Sequence, residues 1–195
     1  MIHPRYVIPS IISILGLCVG LSSIKFALNS QFEHAVIAMC SHDEEGALGI
    51  GLGHVMDGIG LHKLLNQLGL GVGVAPDVPL HFGGPVEPAR GFVLHSTDWA
   101  GEGTVQTAGL WGLTSTQDVL KAIAAGRGPA RWVVALGYAG WGKGQLDAEM
   151  KRPGWHVAPA DPSLIYDVPA QERWTRAFHA SGIDPRLLSS ASGTA

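Results

Sequence analysis

An α+β domain, a mixed β-sheet with short flanking helices, is the fold class this sequence predicts. Three observations point to it. The apolar runs 35–40 (AVIAMC) and 132–136 (WVVAL) have the length and branched content of buried strands. Leu61, Leu64, Leu65 and Leu68 repeat at the spacing of one helix face, and Gly69 follows to stop it. Strands and short helices mix without the regular period of a parallel βαβ fold. With 195 residues, 46% of them hydrophobic, the chain has the size of one domain and enough apolar side chains to exclude disorder.

From Glu33 onward the elements follow in order. The run 35–40 is a strand, HDEEG (42–46) a turn in solvent, and 47–52 a second strand weakened by glycine. The helix at 61–68 comes next. Residues 80–85 read as a loop leading into a strand at 90–95 (RGFVLH), and 110–113 as another strand. Ser115 with Asp118 three residues on resembles a capping box, opening a helix that runs through Val119, Leu120 and Ile123 to Gly126. The strand at 132–136 is followed by a glycine-rich loop, GYAGWGK (137–143), and a short helix at 145–151. A last helix is expected at 171–180.

Residues 1–30 differ in character from 31–195. They hold no Asp or Glu, and the nineteen residues between Arg5 and Lys25 are uncharged, about the length that spans a bilayer core. Pro9, Gly16, Gly20 and four serines dilute the run. Two readings are carried for this segment: a misread start, or a membrane anchor at 6–24. A third makes Ile24–Leu28 the first strand of the sheet, with 6–19 helical or poorly packed.

Several function classes are disfavoured on composition. Two cysteines exclude a disulfide framework and a four-cysteine zinc site. Residues 31–195 carry eleven basic against sixteen acidic side chains, −5, which argues against direct nucleic-acid binding. The nine histidines show no H-x-H and no H-E-x-x-H, so no metal is expected and no cofactor is implied. No G-x-S-x-G elbow is present, and Cys40 ends an apolar run where an inert thiol is usual. The segment 137–143 has P-loop spacing, but Gly144 stands where a nucleotide's Mg²⁺ needs Ser or Thr. Asp147 and Glu149 lie two apart on one helix and face different ways.

The candidate site is built from two glycine-rich segments. FGGP (82–85) brings Gly83 and Gly84, where backbone can approach closely; Arg90 offers a forked donor and His95 an imidazole able to exchange a proton. If this segment meets 137–145, the two form one cleft with Tyr138 and Trp141 as wall and Gln145 as an orienting amide. Glycine-rich amides ahead of a helix suit a small anionic ligand. The competing reading gives the glycines only a turn and Arg90 a structural ion pair.

Segments FEHAVIAMCSHDEEGALG (32–49), FGGPVEPARGFVLHS (82–96), LTSTQDVLKAI (113–123), LGYAGWGKGQLDAEM (136–150), WHVAPAD (155–161) and DVPAQERWTRA (167–177) together resemble the AlgH/YqgE family of bacterial proteins. The resemblance covers 32–195 in colinear order; SSIKFALNS (22–30) departs from it. It implies a single α+β domain in a cytosolic protein, with a transcriptional-regulator label from a link to alginate control and no established reaction. The function expected is therefore a non-enzymatic regulatory or small-anion-binding protein. The alternative is an enzyme of unrecognised class using His95 and Arg90 in the glycine-rich cleft.

Overall fold

One strand organises the molecule. In the computed structural model, which describes residues 16–20, 35–152 and 154–187, strand β9 (Trp132–Gly142) touches three different partners. Its first half pairs antiparallel with β6 (Val86–His95), His95 opposite Trp132 and Gly91 opposite Leu136. On the other side it runs parallel to β5 (Pro79–Phe82), His81 opposite Ala135. Its second half pairs antiparallel with β3 (Gly46–Gly51), Gly46 opposite Gly142.

From this hub the sheet extends in both directions. Beyond β3 lie β2 (Ala35–Asp43), β1 (Gly16–Gly20) and β10 (Trp155–Pro159). Beyond β6 lie β8 (Trp111–Thr114) and β7 (Val105–Thr107), while β4 (Val55–Gly60) pairs only with β5. The sheet curls until its β8–β7 end reaches β2: Thr107 Oγ1 donates to Cys40 O at 3.1 Å and Trp111 Nε1 to Met39 O at 3.3 Å, giving a nearly closed barrel.

The two-residue period of the strands sorts side chains between three cores. Val36, Ala38 and Cys40 of β2 enter the main core with Phe92, Leu94, Trp111, Val133, Ala135 and Phe178. Ile37 and Met39 face the opposite way, onto Ala139, Trp141 and Leu146. Val93 and Val134 meet Leu61, Leu65, Val119, Leu120 and Ile123 in a third cluster. Both faces are covered at 36–40 of β2, 92–94 of β6 and 133–135 of β9, which is why these stretches read as unbroken apolar runs.

Short helices cover the sheet. They are α1 (Leu61–Gln67), α2 (Gln117–Ala124), α3 (Gln145–Met150), α4 (Pro162–Tyr166) and α5 (Ala170–Ala180). Helix α2 ends at Gly126 (φ +68°), with Gly126 N donating to Ile123 O and Arg127 N to Ala122 O. The capping box expected at its start is absent. Thr116 is the N-cap, Ser115 Oγ accepts from Arg90, and Asp118 takes the Glu102 amide instead.

Three expectations are corrected. Residues 79–82 are not loop but strand β5, because the β9 edge offers unpaired backbone groups alongside. The glycine-rich 137–142 segment is not a strand-to-helix loop either; β9 continues through it, drawn on by β3. Within the stretch expected to be helical or loosely packed, Gly16–Gly20 forms β1, Gly20 pairing with Ala35 and with Trp155. The expected first strand at 24–28 lies outside the described residues, as do 6–15. Among the described residues, no helix is long and apolar enough to cross a membrane.

Candidate functional site

The two glycine-rich segments do meet, but backbone to backbone. Gly83 N donates to Leu136 O at 2.8 Å and Gly51 N donates to Gly83 O at 2.7 Å, so the FGGP segment bridges β3 and β9. A Cβ at Gly83 would lie 2.1 Å from Gly137 O, and one at Gly84 2.2 Å from the Tyr138 carbonyl carbon. Gly137 has φ +72° and its Cβ would fall 2.3 Å from Gly84 O. These glycines let two chains cross in contact. Their side-chain space is filled by protein.

Just past the crossing, β6 bulges. Val86 opposes Tyr138 and the next pair is Gly91 with Leu136, so residues 87–90 stand out into solvent, with Glu87 at φ +46°. Arg90 is exposed there. Its Nη1 donates to Glu87 at 3.0 Å, its Nη2 to Ser115 Oγ at 3.2 Å, and its guanidinium lies 5.1 Å from the Phe92 ring centre.

His95 is elsewhere. It sits at the far end of β6, opposite Trp132, nine residues or roughly 30 Å along β9 from Trp141. Its relative exposure is 0%. Nδ1 lies 2.9 Å from Ser96 O, Nε2 lies 2.9 Å from Thr114 Oγ1, and Trp99 packs against the ring edge-on at 5.3 Å. This is a satisfied core histidine, and the single cleft expected to join it with Arg90 and Trp141 is not formed.

Tyr138 and Trp141 do line a concavity, an open one of about 440 Å³ over the second half of β9. Val86 and Gly140 form its floor with Leu48, and the β2–β3 hairpin supplies Ser41 and Asp43. Asp43 Oδ1 accepts the amides of Glu45 (2.9 Å) and Gly46 (3.2 Å), which folds the hairpin turn. Tyr138 meets Phe92 edge-on at 5.6 Å, on the same ring that carries Arg90.

Trp141 is fixed from behind. Its Nε1 donates to Glu149 Oε2 at 3.1 Å, and Trp155 Nε1 donates to the same oxygen at 3.2 Å. Gln145 Nε2 donates to the other oxygen at 3.0 Å, while Gln145 Oε1 accepts the Gly142 amide at 3.1 Å. Gln145 therefore organises the helix start. As expected, Asp147 points away from Glu149, toward His42 at 3.4 Å. The six-residue α3 begins with that acid in its first turn and with a side chain on the Gly142 amide, which weakens the expected anion cradle.

One polar feature carried no signal in the sequence. Arg173 of α5 is buried, 5% exposed, and donates to Leu52 O (2.8 Å), Val168 O (2.9 Å) and His81 Nε2 (2.7 Å). His81 therefore presents a lone pair at Nε2 and a proton at Nδ1, which faces the Val134 carbonyl without a well-formed bond. Burial first, and Arg173 second, push His81 down to about 4. The contributing residues are 92 positions apart, so no local pattern announces them. Cys40 is buried at the end of its apolar run, and burial pushes its thiol up to about 12. Among the described residues, no group of three His, Cys, Asp or Glu side chains is placed to hold a metal.

Comparison with known proteins places this geometry in a family. The AlgH-like family model matches residues 21–186, beginning ahead of the point where the motif resemblance starts. A UPF0301 protein of Novosphingobium aromaticivorans is 58% identical over 165 residues, covering 85% of this chain and 89% of that protein. One from Rhizorhabdus wittichii is 60% identical over the same shares. The solution structure of the AlgH protein from Pseudomonas aeruginosa superposes with a TM-score of 0.72 at 33% identity, covering 92% of this chain and 95% of that one. A protein from Corynebacterium diphtheriae, 20% identical with a TM-score of 0.61 over 82% of this chain and 84% of that one, shares the fold.

Proposed function

The chain belongs to the AlgH-like family, and from that premise we propose that it is a non-enzymatic binding protein with a regulatory role, whose small-molecule ligand sits in the concavity at Tyr138 and Trp141. One observation carries the reading: beside Gly140, Tyr138 faces an open space of about 440 Å³, within the size range of small-molecule sites, and Trp141, buried and locked through Glu149, borders it. A binding role is favoured over catalysis because the imidazole expected to act there is sealed in the core instead.

The geometry also shifts the ligand's expected charge. Asp43 is a charged lining residue with its Oδ1 occupied, and the nearest guanidinium, Arg90, is engaged by Glu87, Ser115 and Phe92. A neutral polar or cationic molecule with a planar portion suits this lining better than an anion. Regulation through direct DNA contact is not part of the proposal, since 31–195 is −5.

Native mass spectrometry of protein purified under gentle conditions, followed by amide NMR titration with the co-purified compound, tests it. The expected result is one small molecule whose binding shifts Gly140, Trp141 and Ser41 and is lost in Tyr138→Ala. Shifts confined to another face of the sheet defeat the reading. Duplex DNA at physiological salt is expected to leave the same spectrum unchanged.

A further inference from the structure

The core histidine that the candidate cleft did not absorb ends a directed chain of hydroxyls. Ser96 O can only accept, so in the neutral ring the proton sits on His95 Nδ1 (2.9 Å) and the lone pair on Nε2. Thr114 Oγ1, 2.9 Å from Nε2, must then donate to it. Having spent its proton, Thr114 accepts from Thr104 Oγ1 at 2.7 Å, and Thr104 itself accepts the Gly101 amide at 2.9 Å. The chain runs from the loop before β7, through β8, to β6. Its inner end is fully buried; its outer end, Thr104, is half-buried between exposed Gly103 and Val105.

We propose that Thr104 is an acylation site, a threonine hydroxyl made nucleophilic by relay through Thr114 to His95. The arrangement has the three parts an activated nucleophile needs: a hydroxyl, a base it reaches by hydrogen bonds, and a group that orients the base. The co-reactant is an activated acyl donor. Thr104 Oγ forms a bond to the acyl carbon, the bond from that carbon to the leaving group breaks, and the leaving group departs with its electron pair. The Thr104 proton moves to Thr114 as the Thr114 proton moves to His95 Nε2. The imidazolium so formed lies within electrostatic reach of Asp98, whose carboxyl the Ser96 hydroxyl and the Ala130 amide hold ionised. Thr114 alone would satisfy the core histidine; the link to the half-buried Thr104 extends the chain outward.

The test treats the full chain with p-nitrophenyl acetate at neutral pH and maps the acetylated peptides over time. Thr97, exposed and of the same residue type, serves as internal reference. Thr104 is expected to acetylate about a hundredfold faster than Thr97, the low end of what a positioned base contributes. Thr114→Val cuts the chain and should bring Thr104 down to the Thr97 rate, whereas Thr114→Ser keeps it and should preserve the difference. Equal rates at Thr104 and Thr97 in the unaltered chain overturn the proposal, as does an undiminished Thr104 rate in Thr114→Val. Should Thr114→Val fail to fold, the ratio in the unaltered chain decides alone.

Discussion

The two halves of β9 are one continuous strand with opposite surroundings. Residues 132–136 are enclosed: Val133 and Ala135 point into the main core, Val134 into the cluster under α1 and α2, and β5 and β6 pair both edges. Residues 138–142 keep one face packed, through Ala139 and Trp141, and leave the other open at Tyr138 and Gly140. Between them stands Gly137, where the FGGP segment crosses. The first half serves stability, with β-branched residues that need partners on both sides. The second half trades side chains for glycine, and the freed space is the concavity. Candidate function sits where packing is deliberately incomplete.

Substitutions at the divide test this contrast most severely. Gly137→Ala puts a Cβ 2.3 Å from Gly84 O at a φ of +72° and is expected to cost about 4 kcal/mol or to prevent folding. Gly144→Ala, at a similar φ of +66° but with open space around it, should cost only about 1 kcal/mol. Thermal melts of the two variants compare them directly; equal losses would mean that backbone conformation, not the crossing, is what glycine serves at 137.

The enclosed half also brings a pH liability, because His81 of β5 is buried opposite Ala135. A histidine pushed from 6.5 to about 4 binds its proton in the unfolded chain before it does in the native one. Stability is thus complete above pH 6.5 and is lost as pH falls toward 4, by about 3 kcal/mol at the lower limit. Urea titrations at pH 7, 5.5 and 4.5 measure the slope. His81→Gln should flatten it, and an unchanged slope in that variant would assign the acid sensitivity to other groups.

Smaller effects separate the halves by side chain. Val134→Ala, wholly inside, is expected to cost about 2 kcal/mol, while Tyr138→Phe in the open half should stay within about 0.5 kcal/mol. If Tyr138→Phe destabilised as much as Val134→Ala, the second half would be structural too. Between these two, Glu149→Gln keeps an acceptor for Trp141 and Trp155 but removes its charge, an expected loss of about 1 kcal/mol. Indole N–H resonances of both tryptophans should move together in that variant; movement of one alone would mean they do not share the carboxylate.

How much of this was legible beforehand follows from how local each feature is. Runs such as AVIAMC and WVVAL, and the leucine spacing at 61–68, carry their own period, and they became β2, the first half of β9 and α1. Tyr138 and Trp141, named from the glycine-rich segment, border a concavity. Strands β4, β7 and β10 went unseen because each is short and takes its shape from partners distant in the chain. Ser41 and Asp43 were passed over because a charged turn looks the same whether it borders a concavity or bulk water.

By itself, then, the sequence determined an α+β fold, the principal buried strands and helices and an acidic net charge over 31–195, since composition and near-neighbour periodicity suffice for these, and its longer motifs pointed to the family. Tertiary structure decided what the special residues are for. A glycine pair is equally free to cradle an anion or to pass another strand, and only the arrival of Gly137 O over Gly83 settles which. A histidine in a strand is equally fit for a cleft or a core, and only its register opposite Trp132 seals it inside. Conformational freedom and titratable chemistry belong to single residues; what they meet is set by contacts between residues far apart in the chain, which no local pattern encodes.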